Sequence, residues 1–329
     1  MNSFGKLFRV SVLGESHGEC TGVLIDGCPA GLMLSTEDLL PDLDRRKSGA
    51  KGTTPRKESD VPMIKSGVFD NKTTGAPILI LFENKDVNST SYEKIKNTPR
   101  PGHADFVAVQ KFGGFNDYRG GGHFSGRLTV LLVAAGVIAK KLMKNIKIDA
   151  KLLEAGGMKN IESAIDEAIK TGDSIGGIVE CKVSGLPVGL GEPFFDSAES
   201  LLSHAVFSIP AIKGIEFGAG FSSAKMHGSE CNDEIVDTNG KTATNNAGGI
   251  NGGITNGNEL LFRVAVKPTS SIKIDKKTVD LKTGERVNLS VAGRHDACIA
   301  LRVPVVLEAV TAIVLADLML IEQKMKRII

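Results

Sequence analysis

The segment from Ser125 to Asn145, SGRLTVLLVAAGVIAKKLMKN, constrains this fold more than any other stretch of the chain. Apolar side chains fall on every side of its middle turns. Such a helix is stable only when neighbours cover it all round. A second apolar run, Val305 to Ile321, is interrupted by Glu308 and Asp317, which suits a buried helix rather than a membrane span. The expectation is a core helix and a long closing helix, Pro304 to Lys326, with the remaining elements packed around them. Strands are predicted at Phe8–Leu13, Gly22–Ile25, Ile64–Val68, Ala76–Phe82, Ile148–Leu153, Gly176–Val183 and Leu260–Lys267, from alternation and β-formers. Shorter helices are predicted from Ser35, at Ile161–Lys170 and at Ala198–Val206. Residues 84–124 and 228–258 read as long irregular segments. The order of elements has no βαβ rhythm, so the fold class is α+β. No linker or change of composition divides residues 1–329, which read as one domain.

Composition narrows the function. Of the 329 residues, 41% are apolar and 24% charged, which excludes a disordered chain. The net charge of +2 gives no electrostatic footprint for nucleic acid, and the absence of tryptophan removes the usual stacking platforms. Five cysteines without a C-x-x-C pair read as reduced thiols of a cytoplasmic protein. The N-terminal residues contain no unbroken apolar run of a secretory signal. No histidine pair has zinc spacing, so no metal site is expected. Glycine is the outlier: 38 residues, against about 23 at average usage. The surplus implies tight turns and close approach of backbone to a ligand.

The glycines gather around histidine and arginine. Four of the six histidines stand in GESHG (His17), RPGHAD (His103), GGGHFSG (His123) and GRHD (His295). Such histidines are candidate proton donors or acceptors. His204 and His227 read as ordinary surface residues. Arg119 to Arg127, RGGGHFSGR, leads into the core helix, so its glycines and the helix N-terminus form a candidate anion site with Ser125 as cap. It is neither a Walker A loop nor a dinucleotide fingerprint. Residues 45–57 are rich in Arg and Lys; they are either an anion site or a solvated basic loop. Lys267–Ser271 offers one cation and three hydroxyls after a strand. The Gly/Asn-rich run 245–257 can wind around a ligand. Asp296, beside His295, is either a base or part of a salt-bridged turn.

Taken together, these segments resemble the chorismate synthases. The likeness is carried in order by FGKLFRVSVLGESHG (4–18), LDRRKSG (43–49), RPGHAD (100–105), DYRGGGHFSGR (117–127), KGIEFGAGF (213–221), NNAGGINGGITNG (245–257), KPTSSI (267–272) and GRHDACIALRVPVV (293–306). The resemblance implies a β-α-β sandwich with internal pseudo-symmetry, assembled as a homotetramer. It implies an anti-1,4-elimination of phosphate and the C6 proton from 5-enolpyruvylshikimate-3-phosphate to give chorismate, the last step of the shikimate pathway. Reduced FMN is required without net redox change, and NADPH is a candidate reductant. No nucleic-acid or membrane partner is implied.

Roles follow residue by residue from the resemblance. His17 corresponds to the acid that protonates the departing phosphate, with Ser16 and Ser125 in its proton network. His103 corresponds to a donor to reduced FMN, and Asp296 to the aspartate that relays the C6 proton. His123, Phe124, Ser125, Pro210, Ala211, Gly252, Lys267, Pro268, Thr269, Ser270, Ser271 and Arg294 correspond to flavin contacts. Arg46, Lys51, Arg100 and Arg127 correspond to residues that meet substrate or NADP. The common form of the third motif is RGGGRSSARET; this chain has His123, Phe124 and Leu128 where that form has Arg, Ser and Glu. His123 carries a positive charge only when protonated, so the flavin phosphate is expected to be held less firmly.

Overall fold

A computed structural model describes residues 2–55, 58–85, 89–93, 95–291 and 295–324. Two antiparallel sheets enclose a layer of helices. The first sheet has strands β1 (Ser3–Phe4), β2 (Arg9–Gly14), β3 (Cys20–Asp26), β4 (Met63–Ser66) and β5 (Ile78–Glu83), in the order β1-β2-β3-β5-β4. The second has β6 (Lys147–Ala155), β7 (Gly177–Ser184), β8 (Ile212–Phe217) and β9 (Leu260–Val266), in the order β8-β9-β7-β6. Period-2 alternation sets the inner faces. Val10 lies opposite Ile25, which lies opposite Ile78; Val23 lies opposite Ile80. In the second sheet Phe262 lies opposite Cys181 and Val264 opposite Val179. All of these residues are buried in one continuous core.

Between the sheets run α1 (Leu40–Arg46), α3 (Thr129–Leu142), α5 (Ala198–Val206) and α6 (Val303–Lys324), while α2 (Asp105–Phe112) and α4 (Ile161–Thr171) lie outside this layer. Helix α3 packs on strands β2 and β3, and α6 on β6 and β7, so the layers run sheet, helices, sheet. Helix α6 is long and apolar enough to cross a membrane, yet most of it is buried inside the protein. Close contact between α3 and α6 needs Gly136: a Cβ there would overlap the Cα and Cβ of Ala309. Asp317 of α6 accepts the backbone N–H groups of Lys6 (2.8 Å), Leu7 (2.7 Å) and Phe8 (2.8 Å), which ties the chain's start to its closing helix.

Two of the elements named above depart from the sequence reading. Residues 105–112, inside a stretch expected to be irregular, form α2, which ends at Gly113 in the left-handed conformation. Strand β8 was hidden because Gly214 breaks its alternation; there its register with β9 shifts.

Candidate active site

One cleft of about 750 Å³ gathers most of the predicted residues. Its walls include Arg46 at the end of α1, the 100–104 turn, the glycine segment before α3, the turn between α5 and β8, the 267–270 segment and Asp296. A void of this size lies within the usual range of small-molecule sites.

Carboxylates aim the arginines. Asp60 is buried between Arg46, at 2.6 Å, and Arg127, to which it is also paired. Burial would lift its pKa, but the charges of Arg46 and Arg127 outweigh burial and hold the carboxyl below the usual range. Arg46 also reaches Thr129 Oγ1 at 3.3 Å, and Arg127 reaches Asn84 Oδ1 at 3.1 Å. Glu58, a second carboxylate on the cleft wall, also acts on both guanidinium groups, so the arginines are held charged and aimed at the cleft.

A second cluster joins RPGHAD to the 267–271 segment. Arg100 holds Asp105 in two-point fashion at 2.7 and 2.8 Å and donates to Ser271 Oγ at 3.1 Å. His103 Nδ1 lies 2.6 Å from Asp105 Oδ1 and 3.1 Å from the Arg100 guanidinium, and its Nε2 lies on the Gly121 side. Burial pushes the Asp105 pKa up, yet the hydrogen bonds from Arg100 and His103 keep it well below the carboxylate range. Lys267 Nζ donates to the Gly102 carbonyl (2.7 Å) and to Ser270 Oγ (2.8 Å). Burial, then the charges of Lys213 and Lys276, lowers the pKa of Lys267. Thr269 Oγ1 is buried without a partner. Ala211, on the wall with Pro210, holds φ at +76°, a strained setting for a non-glycine residue.

Ser16 and His17 stand behind the lining, beside Gly120. His17 Nδ1 is 2.9 Å from Ser89 Oγ, and the ring meets Tyr92 edge-on at 5.4 Å. Ser16 Oγ is buried without a partner. Asp296 Oδ1 accepts the Thr54 N–H at 2.9 Å and lies 3.8 Å from Arg302. Ser125 lines the cleft and its Oγ accepts the Arg127 N–H at 3.3 Å. Phe124 is 39% exposed and tilts against Phe112 at 6.4 Å.

Other expected residues lie elsewhere. Lys51 points to Asp166 (2.6 Å) and Glu162 (3.7 Å) of α4, outside the cleft, so the basic segment does not act as one anion site. Arg45 in the same segment is taken by the buried Glu308 at 2.6 Å. Gly252 sits in a hairpin beside the start of α5, whereas the cleft lies at that helix's other end. Nine helical residues separate the two by roughly 13 Å. Ser271 backs the cleft through Arg100. Arg294 lies outside the described residues, as do Arg56 and Lys57.

The structure also brings in two residues that sequence reasoning missed, Asp60 and Tyr92, and seats two that it had noted, Arg302 and His295. Asp60 carried no glycine or histidine neighbour to mark it. Tyr92 lies between the His17 ring and the Arg100 guanidinium, which sits 5.8 Å over its face. Arg302 donates to the Arg46 carbonyl at 3.1 Å. His295 also lines the cleft; burial, then the Arg100 charge, lowers its pKa. Arg302 and His295 were legible as part of GRHDACIALR; Asp60 and Tyr92 had no local signal.

Comparison with known proteins gives the family. Residues 8–320 match the family described as chorismate synthase. The chain belongs to the chorismate synthase family. A chorismate synthase of Chitinophaga pinensis is 67% identical over 329 residues, covering 100% of this chain and 99% of the relative. One from Dehalococcoides mccartyi is 48% identical over 351 residues, covering 97% and 96%. A crystal structure of a chorismate synthase superposes with a TM-score of 0.75 at 28% identity, covering 96% of this chain and 93% of that one. Family membership makes the protein a lyase, and the mixed fold is that of the solved family member.

Proposed function

We propose that the cleft converts 5-enolpyruvylshikimate-3-phosphate to chorismate by anti-1,4-elimination, as the last step of the shikimate pathway. The observation that carries this reading is the convergence of Arg46, Arg100, Arg127 and His103, drawn from separate segments, on one cleft with the 267–270 strip. The substrate carries a phosphate and two carboxylates, which matches a wall of buried arginines. Arg46, Arg100 and Arg127 hold these groups. His17, with Nδ1 engaged by Ser89, has Nε2 on the Gly120 side and protonates the departing phosphate. Asp296 relays the proton lost from C6. The C–O bond to phosphate and the C6–H bond break, and the electron pair stays in the new diene.

Reduced FMN fits the remaining walls. The unpartnered Thr269 hydroxyl, the Lys267 ammonium and the open backbone of the glycine segment suit its phosphate and ring edge. Phe124, Ser125, Pro210, Ala211 and residues 267–270 would hold it, with His123 beside them in the glycine segment, and His103 would donate to it. When bound, it supplies transient electron donation without net redox change. NADPH is proposed as one source of its reduction. The whole chain acts as one domain in the cytoplasm. A homotetramer is proposed as well, supported by Phe115, Phe194, Phe195 and Phe221, each more than 80% exposed.

The test is an anaerobic assay with 5-enolpyruvylshikimate-3-phosphate and chemically reduced FMN. Chorismate and phosphate released together, with no net flavin oxidation, support the proposal. Folded protein that binds flavin but releases neither overturns it. His17→Ala and His103→Ala should each slow turnover by roughly 10²–10⁴-fold.

A further inference from the structure

His123 stands on the wall shared by the main cleft and a smaller cavity of about 280 Å³, and neither of its ring nitrogens is committed to the cleft. Nδ1 lies 2.9 Å from the Gly14 carbonyl, and Nε2 lies 3.1 Å from Asn2 Oδ1. A carbonyl oxygen can only accept, so Nδ1 carries the proton. The Nε2 contact survives either charge state: Oδ1 accepts from an imidazolium, and a turned amide donates to the neutral ring. Asn2 is anchored in turn, because its carbonyl accepts the Val12 N–H at 2.8 Å. Gly14 ends β2 two residues before Ser16 and three before His17.

The glycine segment that His123 closes has little to hold it. Gly120, Gly121 and Gly122 all have left-handed φ, and the local backbone bonds, Gly121 to Tyr118 and Ser125 to Gly122, are long at 3.3 and 3.4 Å. Its place is therefore set from outside. Two ties run to the 14–16 strand end: Ser16 N–H to the Gly122 carbonyl at 3.2 Å, and His123 to Gly14. Together they keep Gly120 against the His17 ring.

From this we infer that His123 is a positioning residue: it pins the glycine segment to the β2 end and so sets His17 relative to the cleft, rather than contacting a ligand phosphate. The kinetic part of this inference rests on the proposed elimination; its structural part does not.

The experiment compares His123→Ala, His123→Asn and Asn2→Ala in the full chain by hydrogen exchange, by flavin affinity and by turnover. Asn2 does not line the main cleft, yet its loss should act as the loss of His123 does. Both alanine variants should raise deuterium uptake over 14–18 and 119–124. Both should lower kcat, by roughly tenfold or more, with KM changed less than twofold. The ratio of reduced FMN to reduced riboflavin affinity should stay at its wild-type value. His123→Asn keeps a donor for the Gly14 carbonyl and should recover most of the lost kcat. A fall in FMN affinity of tenfold or more in His123→Ala, with riboflavin affinity unchanged, would make His123 a phosphate ligand and overturn the inference. Wild-type uptake in Asn2→Ala would overturn it as well. If the wild-type protein forms no chorismate, the proposed reaction fails, and the uptake and affinity arms still decide the role of His123.

Discussion

Gly120 lies directly against His17: a Cβ at Gly120 would sit 2.5 Å from Nε2 of the imidazole and 2.8 Å from Ser16 Oγ. The missing side chain is what lets the ring occupy its place behind the cleft wall. Gly120→Ala must displace the ring and also strain a backbone at φ +59°. Turnover should fall about a hundredfold, since a shift of about 1 Å at the proposed acid has that cost. Stability should fall by about 1–2 kcal/mol. Steady-state rates set beside urea unfolding check this; equal turnover would show that His17 does not serve the reaction.

Asp60 is the shared counter-ion of Arg46 and Arg127, and all three are buried. Asp60→Asn leaves two buried guanidinium charges facing each other. The expected loss is about 3–5 kcal/mol of unfolding free energy. Adding Arg127→Gln should cost less than the sum of the single changes, because the unpaired charge is then removed. Chemical denaturation of the two single variants and the double variant reads the difference.

Two residues, His295 on the cleft wall and Asp105 behind it, predict acid sensitivity. The Asp105 carboxyl has a lowered pKa in the fold, so it contributes stability at pH values above the unfolded pKa of about 4 and loses it as pH falls through the folded value. The neutral form of His295 is favoured in the fold, so the unfolded chain gains a proton first as pH drops below about 6.5, and stability falls there too. Asp105→Asn should flatten the stability profile below pH 4, and His295→Asn the part below 6.5. Urea midpoints measured from pH 8 to 3 test both; parallel curves for wild type and variants would contradict them.

Gly136 and Ala309 bring the two central helices into contact. Gly136→Val places branched carbon where the Ala309 backbone already lies, with its carbonyl oxygen 2.9 Å from the Cβ position. Helices α3 and α6 must part, and the expected loss is about 3 kcal/mol. Ala309→Gly combined with Gly136→Ala should recover part of it, which thermal unfolding will show.

The central helices and most strands were legible in the sequence, because burial on all sides or on alternate sides is written in neighbouring residues. Residues 129–142 and 303–324 are helical as their apolar runs require, and 198–206 has the expected bounds. The motifs RPGHAD, RGGGHFSGR and KPTSS were also visible, and they meet in one cleft. Helix 105–112 was not, since glycine and proline on either side masked it.

Composition and periodicity thus determined two buried helices, most of the strands and a set of glycine-flanked histidines and arginines. The tertiary structure alone decided which cations serve the cleft. Arg45 and Arg46 are neighbours in sequence, yet one is taken by Glu308 and the other by Asp60. Lys51 turns to α4. The physical reason is that helix and strand patterns arise from residues a few positions apart, whereas the partner of a buried charge is whichever opposite group the packing brings beside it. For Arg45 that group stands 263 positions away.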